Sequence, residues 1–394
     1  MFKRIFHIDH VIITLLALLI MWLLSFVVLN VTFFDPISRA LKNYQLSDMF
    51  YQIEKDSGVE TESPLITIVD ISSVYDRSQI AKVIEDINEC EPYLLGIDVI
   101  FEGLKGDTVG SDAIAEALMN SEKPVVAFKL TVYDNKTKEF THSRHSFFTP
   151  SEGIVEGFSN VAHDAYGGAL RYITTVRDFH GEKVYALAQE IARTYYPELP
   201  VDTVALTKRM IDYTPTIFPV VAHDSILQHR DLLNGRIVIL GGMHDDADMH
   251  YSPYGRTAGT NIQAYAVQTL LENKRIEEFP PIVATLISFL LILFTQIFRY
   301  EFGRWANARR HLFLRTFFGS TLVNNIINFT WIGLLVWINF IIFIKFDYYF
   351  PSTLTLLAIA MLIEAQNFYR NMIQYIGNNY NWSFAKNSLY NINK

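Results

Sequence analysis

Hydrophobic positions along the chain fall into four long runs and many short ones. Residues 11–31 (VIITLLALLIMWLLSFVVLNV) carry no charge over about 20 positions, enough to cross a bilayer core as a helix. Three further runs, 281–298, 321–344 and 350–369, crowd the other end of the chain. Between the first run and the second lie about 250 residues whose pattern is that of a water-soluble domain. The expected layout is one membrane helix, a domain at 35–279, and a three-helix membrane part.

Within the domain the pattern alternates. Residues 36–53 have near-helical apolar spacing and predict a juxtamembrane helix, and the polar stretch 54–64 predicts a linker. LITIVDI (65–71), LLGIDVIF (94–101) and VVAFKL (125–130) are β-branched or continuous apolar runs suited to buried strands. Amphipathic segments at 77–90 and 111–120 separate them. Strands alternating with helices of this length predict βαβ units and a parallel sheet. The middle third then changes: 157–162 and 169–179 are expected as antiparallel strands joined by the glycine-rich turn HDAYGG. A helix at 182–195, a short strand at 209–213, a buried strand at 236–242 and a helix at 260–273 complete the set. In that last helix Ile262, Tyr265, Ala266, Thr269 and Leu270 form the inner stripe. The fold class expected is a mixed α/β extracytoplasmic domain, its sheet largely parallel with an antiparallel part, plus four transmembrane α-helices.

Charge gives these segments an orientation. Lys3 and Arg4 precede the first run, and the stretch 299–316 carries Arg299, Arg304, Arg309, Arg310 and Arg315 against Glu301 alone. Short basic segments stay cytoplasmic. Residues 1–10, the basic loop 299–316 and a short tail, 370–394, are therefore expected inside, and the domain outside. The first run is longer than a signal-peptide core and no small-residue cleavage pattern follows it, so an uncleaved anchor is expected. The single cysteine, Cys90, excludes an internal disulfide and is expected buried and inert at a helix end. The formal charge of −8 conceals an acidic outer domain, which argues against nucleic acid as a partner.

In this order the segments resemble a type-2 CHASE domain, the extracytoplasmic sensory module of bacterial cyclases, histidine kinases and other receptors. ITIVDISS (66–73) and LLGIDVIFEG (94–103) are similar to the family's first two strands, each with its acid. GFSNVAHDAYGGALRYI (157–173) resembles its G-x-x-N…D-x-x-G-x-x-R segment. FPVVAHDSILQ (218–228), LNGRIVILGG (233–242), DMHYSPYG (248–255) and AGTNIQAYAVQTLLENKRI (258–276) follow, and YQLSDMFYQI (44–53) is similar to the entry helix. Two departures stand out. Gln263 occupies a place where the family often has a histidine. Only about 25 residues follow the fourth run, fewer than the ~50 of a folded domain, so no output domain is expected there.

Candidate chemistry is sparse. Asp70 and Asp98 close two expected parallel strands, at the sheet edge where open α/β folds bind ligands. They either bind a polar ligand or cation, or cap the turns that follow. HDDADMH (244–250) supplies His244, Asp246 and His250 as weak metal candidates, while Asp248 is expected to order the turn to Pro253 or to join a ligand site. His163–Asp164 and His223–Asp224 are further His-Asp pairs without a nucleophile elbow. GGMHDD lacks the lysine of a phosphate loop, and no catalytic or cofactor pattern is present. In the membrane part Asn324, Asn328 and Glu364 form a candidate polar face, either hydrogen-bonded between helices, a track for ions, or a docking face.

These readings describe a membrane-anchored sensor without enzymatic activity or cofactor, in a bacterial inner membrane, relaying a small ligand or protein signal to a separate partner. The competing expectations are an accessory subunit of a membrane assembly and a channel or transporter subunit. The resemblance also implies a homodimer.

Overall fold

The computed structural model describes residues 2–30, 45–58, 60–103, 108–137, 139–148, 153–160, 168–380 and 382–391. Its first long apolar run forms helix α1 (Ile8–Asn30). Residues 47–276 make one compact unit; residues 1–46 and 277–394 together make the other.

The domain unit opens on α2 (Leu46–Asp56), which covers the later part of the expected juxtamembrane helix; residues 36–44 of that expectation lie outside the described residues. Strand β1 (Ile66–Asp70), helix α3 (Arg77–Glu89), strand β2 (Leu94–Ile97), helix α4 (Thr108–Met119) and strand β3 (Pro124–Asp134) then alternate as the sequence predicts. The local reasons are visible in α3. Asp76 accepts hydrogen bonds from the Ser78 and Gln79 backbone N–H groups at 2.9 and 3.1 Å, which starts the helix. Ile80, Val83, Ile84 and Ile87 share one buried face, and Cys90, fully buried, caps the end.

Strands β4 (Glu139–Arg144) and β5 (Val155–Phe158), helix α5 (Leu187–Tyr195), strands β6 (Val220–Ala222) and β7 (Ile237–Gly241) and helix α6 (Gly259–Leu271) complete the main body. The seven-stranded sheet runs β6-β1-β7-β2-β3-β4, with β5 also paired along β3. Each of its pairings is parallel except β3 with β4. Leu95 and Ile97 of β2 face the core formed with α3 and α4. Gly96 between them lies on the other face against Ile191 of α5. Helices thus cover both faces, and the sheet reads as continuous apolar runs because neither face meets water.

Two expectations in the middle third are overturned. Of the segment expected at 157–162, the described residues 157–160 do not pair antiparallel with 169–179. Val155–Phe158 runs parallel to β3, while Tyr172–Thr174 pairs with Lys208–Met210. The helix expected from 182 begins only at Leu187. Residues 182–185 instead form a hairpin with Val176–Phe179. The turn explains it: His180 and Gly181 both have positive φ, 51° and 84°, the left-handed pair of a tight hairpin turn. The glycine-rich turn and the His163–Asp164 pair lie outside the described residues.

In the other unit, α7 (Pro281–Asn307) and α9 (Thr321–Phe346) flank α8 (Leu312–Gly319). α1, α7 and α9 are the three helices among the described residues long and apolar enough to cross a membrane. The basic stretch 299–316 is not a loop: α7 continues through it to Asn307, and α8 starts at Leu312. Stacking of Phe302 on Trp305, with Phe318 against both, gives these turns an aromatic side to bury. The fourth apolar run is helical but divided into α10 (Thr353–Ala360) and α11 (Leu362–Asn379). Met361 between them has ψ of −5°, well off the helical value, so neither piece by itself is a long apolar helix. Ala17, Ala358 and Ala365 let α1, α10 and α11 approach closely, with Ile13, Ile292, Ile359 and Leu362 filling the seam.

Candidate functional site

The loop after β7 and the two helices at the ends of the domain, α2 and α6, build an open cleft of about 470 Å³, within the range of small-molecule sites. Helix α2 contributes Lys55, whose ammonium lies 4.8 Å from the centre of the Tyr254 ring. Helix α6 contributes Asn261 and Tyr265, and the β7 loop contributes Met243 and His244. The wall is aromatic. Phe218 meets the Tyr265 ring edge-on at 4.9 Å, and Tyr254 lies beside Tyr265 at 6.2 Å. Both phenols are anchored to backbone: Tyr254 donates to the Tyr213 carbonyl, and Tyr265 to the Thr216 carbonyl at 3.0 Å. Burial pushes Tyr265 up to about 12 and Tyr254 further, so both stay neutral donors. Lys55, Glu60, His244 and Arg256 place ionisable groups of both signs around this wall, and Arg256 is held by Asp246 at 2.8 Å.

Helix α2 is fixed to the domain with unusual firmness. Arg171 grips Asp48 in a bidentate pair, Nε to Oδ1 at 2.7 Å and Nη2 to Oδ2 at 2.6 Å, with both side chains buried. Gln52 donates to the Pro253 carbonyl at 2.6 Å, and Tyr51 to that of Ile211 at 3.3 Å. The arginine that closes the G-x-x-N…R segment is therefore the clamp on the entry helix.

The sequence-predicted acids separate into two groups. Asp70 receives the Ser72 N–H and hydroxyl at 2.9 and 2.5 Å and the Met243 N–H at 3.0 Å. Partial burial works to raise it, but these bonds prevail and hold it below the ordinary carboxylate value. The Asp70 carboxylate thus ties together the turns after β1 and β7, and its Oδ2 stands 3.7 Å from His244 on the cleft rim. Asp98 belongs with Asp248 instead. Burial, and behind it the Asp248 carboxylate, push Asp98 up to about 8; Thr260 Oγ1 donates to it at 3.4 Å. Asp248 packs so tightly on the first turn of α6 that a Cβ on Gly259 would clash with its carboxylate. Two carboxyl groups share the start of that helix, and burial beside Asp248 disfavours the ionised form of Asp98.

The weak metal candidates do not converge. His244 faces Asp70, Asp246 pairs with Arg256, and His250 stands 3.4 Å from Asp248. Among the described residues no three histidine, cysteine or carboxylate side chains come together as a metal site. Their spacing along one loop is undone because the loop splits into a short 3-10 turn (Asp246–Asp248) and a hairpin strand (Met249–Ser252). The membrane polar face also disperses. Asn324 bonds its own helix at Ser320 O, Asn328 is buried, and Glu364 is exposed.

Lys55, Tyr254, Asn261 and Tyr265 were not singled out by sequence. Lys55 sits in a polar stretch that reads as linker, and Tyr265 in a stripe that reads as core. The available signal was positional: both belong to the segments that adjoin membrane helices.

Neither the curated proteins nor the solved structures give a match to this chain. A family model does: the CHASE2 domain matches residues 13–298, which takes in most of α1, the whole domain unit and much of α7. The chain belongs to the CHASE2 domain family of extracytoplasmic sensory domains.

Proposed function

We propose that the chain is a membrane-anchored sensor whose cleft binds a small polar ligand and whose entry and exit helices pass the result to the membrane helices and on to a separate partner protein. The observation that carries this reading is shared lining: α2 and α6, which adjoin the membrane segments in sequence, both present side chains to one cleft. A ligand that touches Lys55 and Asn261 together favours one spacing of the two helices over another, which is all a relay requires. The domain lies outside the cytoplasm of a bacterium, in its inner membrane with both termini inside, and acts without catalysis.

The test is a thermal-shift screen of small polar metabolites on the full chain in detergent, followed by the pair Lys55→Ala and Asn261→Ala. A ligand whose shift disappears in both variants, and which changes hydrogen exchange in α2, supports the relay. A ligand that still shifts both variants binds elsewhere. A partner protein that protects the cleft while every small molecule fails would replace the sensor with an assembly subunit.

A further inference from the structure

One end of the membrane unit carries a charge cluster that the sensor reading does not use. Tyr300 of α7 and Tyr390 meet with ring centroids 5.5 Å apart, and three arginines from three helices surround them. Arg370 of α11 lies 5.9 Å from the Tyr390 ring. Arg299 is within electrostatic reach of Tyr390, and Arg4, on the short helix Phe2–Ile5, within reach of Tyr300. Among the described residues none of the three makes an ion pair, and the Arg299 Nη1 atom has no hydrogen-bond partner although solvent does not reach it.

The acids nearby do not neutralise them. Asp9 is fully buried and its oxygens are taken by the Tyr369 hydroxyl at 2.7 Å, the Ser388 hydroxyl at 2.9 Å and the Leu389 N–H at 2.6 Å. Glu301 alone remains against three guanidinium groups. An unpaired guanidinium at a helix end in a membrane protein is costly unless an anion meets it, and planar forked donors suit phosphate oxygens. Helix ends of a spanning bundle lie at the depth of lipid headgroups.

We propose that Arg4, Arg299 and Arg370 form a binding site for the phosphodiester headgroup of an anionic glycerophospholipid. Asp9 and Tyr369 serve it indirectly, by docking the 388–390 segment so that Tyr390 stands between the arginines. The shared chemistry is a phosphate oxygen, so free phosphate is the alternative source.

The experiment is native mass spectrometry of the full chain released from nanodiscs containing equal phosphatidylglycerol and phosphatidylcholine. Wild type is expected to retain phosphatidylglycerol selectively. The triple variant Arg4→Gln, Arg299→Gln, Arg370→Gln is expected to bind it about a hundredfold more weakly, at roughly fivefold per arginine. The triple lysine variant, which keeps the charge, should retain most of the binding. The single exposed variant Arg370→Gln guards against misfolding of the triple and should lose about fivefold. Equal retention of both lipids by wild type, or undiminished retention by the glutamine variants, would overturn the proposal. Displacement of the lipid by millimolar inorganic phosphate would assign the site to a free anion instead.

Discussion

The two units handle buried charge in different ways. In the domain unit, buried carboxylates take cationic partners: Asp48 with Arg171, Asp202 with Arg209 at 2.7 Å, and Asp212 with Lys274 at 2.7 Å. In the membrane unit Asp9 is held chiefly by two hydroxyls and an N–H from the far end of the sequence, with the local His7 imidazole 3.3 Å away. A cation beside a carboxylate fixes two elements by charge and survives some misalignment. A carboxylate satisfied by hydroxyls fixes them by geometry alone, and loses its support when one element shifts. The domain is thus clamped at its entry helix, while the membrane unit is closed by a contact sensitive to small displacements. The Asp98–Asp248 pair is an exception in the domain, two acids that no arginine or lysine clamps, with only the His250 imidazole 3.4 Å from Asp248.

The largest effect is expected at the clamp. Arg171→Met takes the bidentate guanidinium away from buried Asp48, which costs about 3–5 kcal/mol. Thermal unfolding of the full chain followed by near-UV signal should show the domain transition falling sharply. The double variant Asp48→Leu, Arg171→Met should recover most of the loss, because an apolar pair removes both charges together. If the double variant is no better than the single, the pair acts through more than its charge.

Next comes the exception. Asp98 in the folded domain is raised to about 8, against an unfolded value near 3.8. Between these pH values the unfolded chain has released its proton and the folded domain has not. The contribution of this group to stability is therefore full below about pH 4, falls as pH rises toward 8, and is flat beyond. Asp70, whose carboxyl is lowered, works in the opposite sense and loses its contribution only in acid. Asp98→Asn should flatten the slope between pH 4 and 8 and leave the domain more stable than wild type at pH 8. Unfolding midpoints at several pH values decide it, and an unchanged slope would remove the pair from the account.

What the sequence revealed follows the same division. Helix α3 was legible because Asp76 caps it and one apolar face runs its length, and β7 because RIVILGG has no competing period. The hairpin 176–185 was not, since EKVY runs into the helix after it with spacing compatible with either. The acids Asp70 and Asp98 were legible as strand ends, but their opposite fates depend on Ser72 and Asp248, which sequence places 2 and 150 residues away. Asp9 was illegible for a similar reason. It precedes an apolar run and looks like a boundary charge until Tyr369 and Ser388 fold onto it.

A third expectation probes that contact. Asp9→Ala leaves the Tyr369 and Ser388 hydroxyls and the Leu389 N–H without an acceptor, at about 1–3 kcal/mol. Local opening follows rather than global unfolding, because the seam of Ile13, Ala17, Ile359 and Leu362 is untouched. Trypsin should cut at Lys386 faster in the variant than in wild type, while the domain transition stays where it was. Unchanged cleavage would mean that the 388–390 segment is held by Tyr390 packing alone.

The smallest effect on stability is the most telling for the cleft. Lys55 is exposed, and its contact with the Tyr254 ring is of the solvated kind, worth about 0.5–1 kcal/mol. Lys55→Ala should therefore leave the unfolding midpoint nearly unchanged, while Arg171→Met, on the opposite anchor of the same helix, moves it by several degrees. If Lys55 serves the cleft, the variant loses ligand-induced stabilisation without losing the fold. A structural role would show the reverse, a lower midpoint with the ligand shift preserved. Because Asp48 and Lys55 lie on one helix two turns apart, the two variants separate what holds that helix from what it is held for.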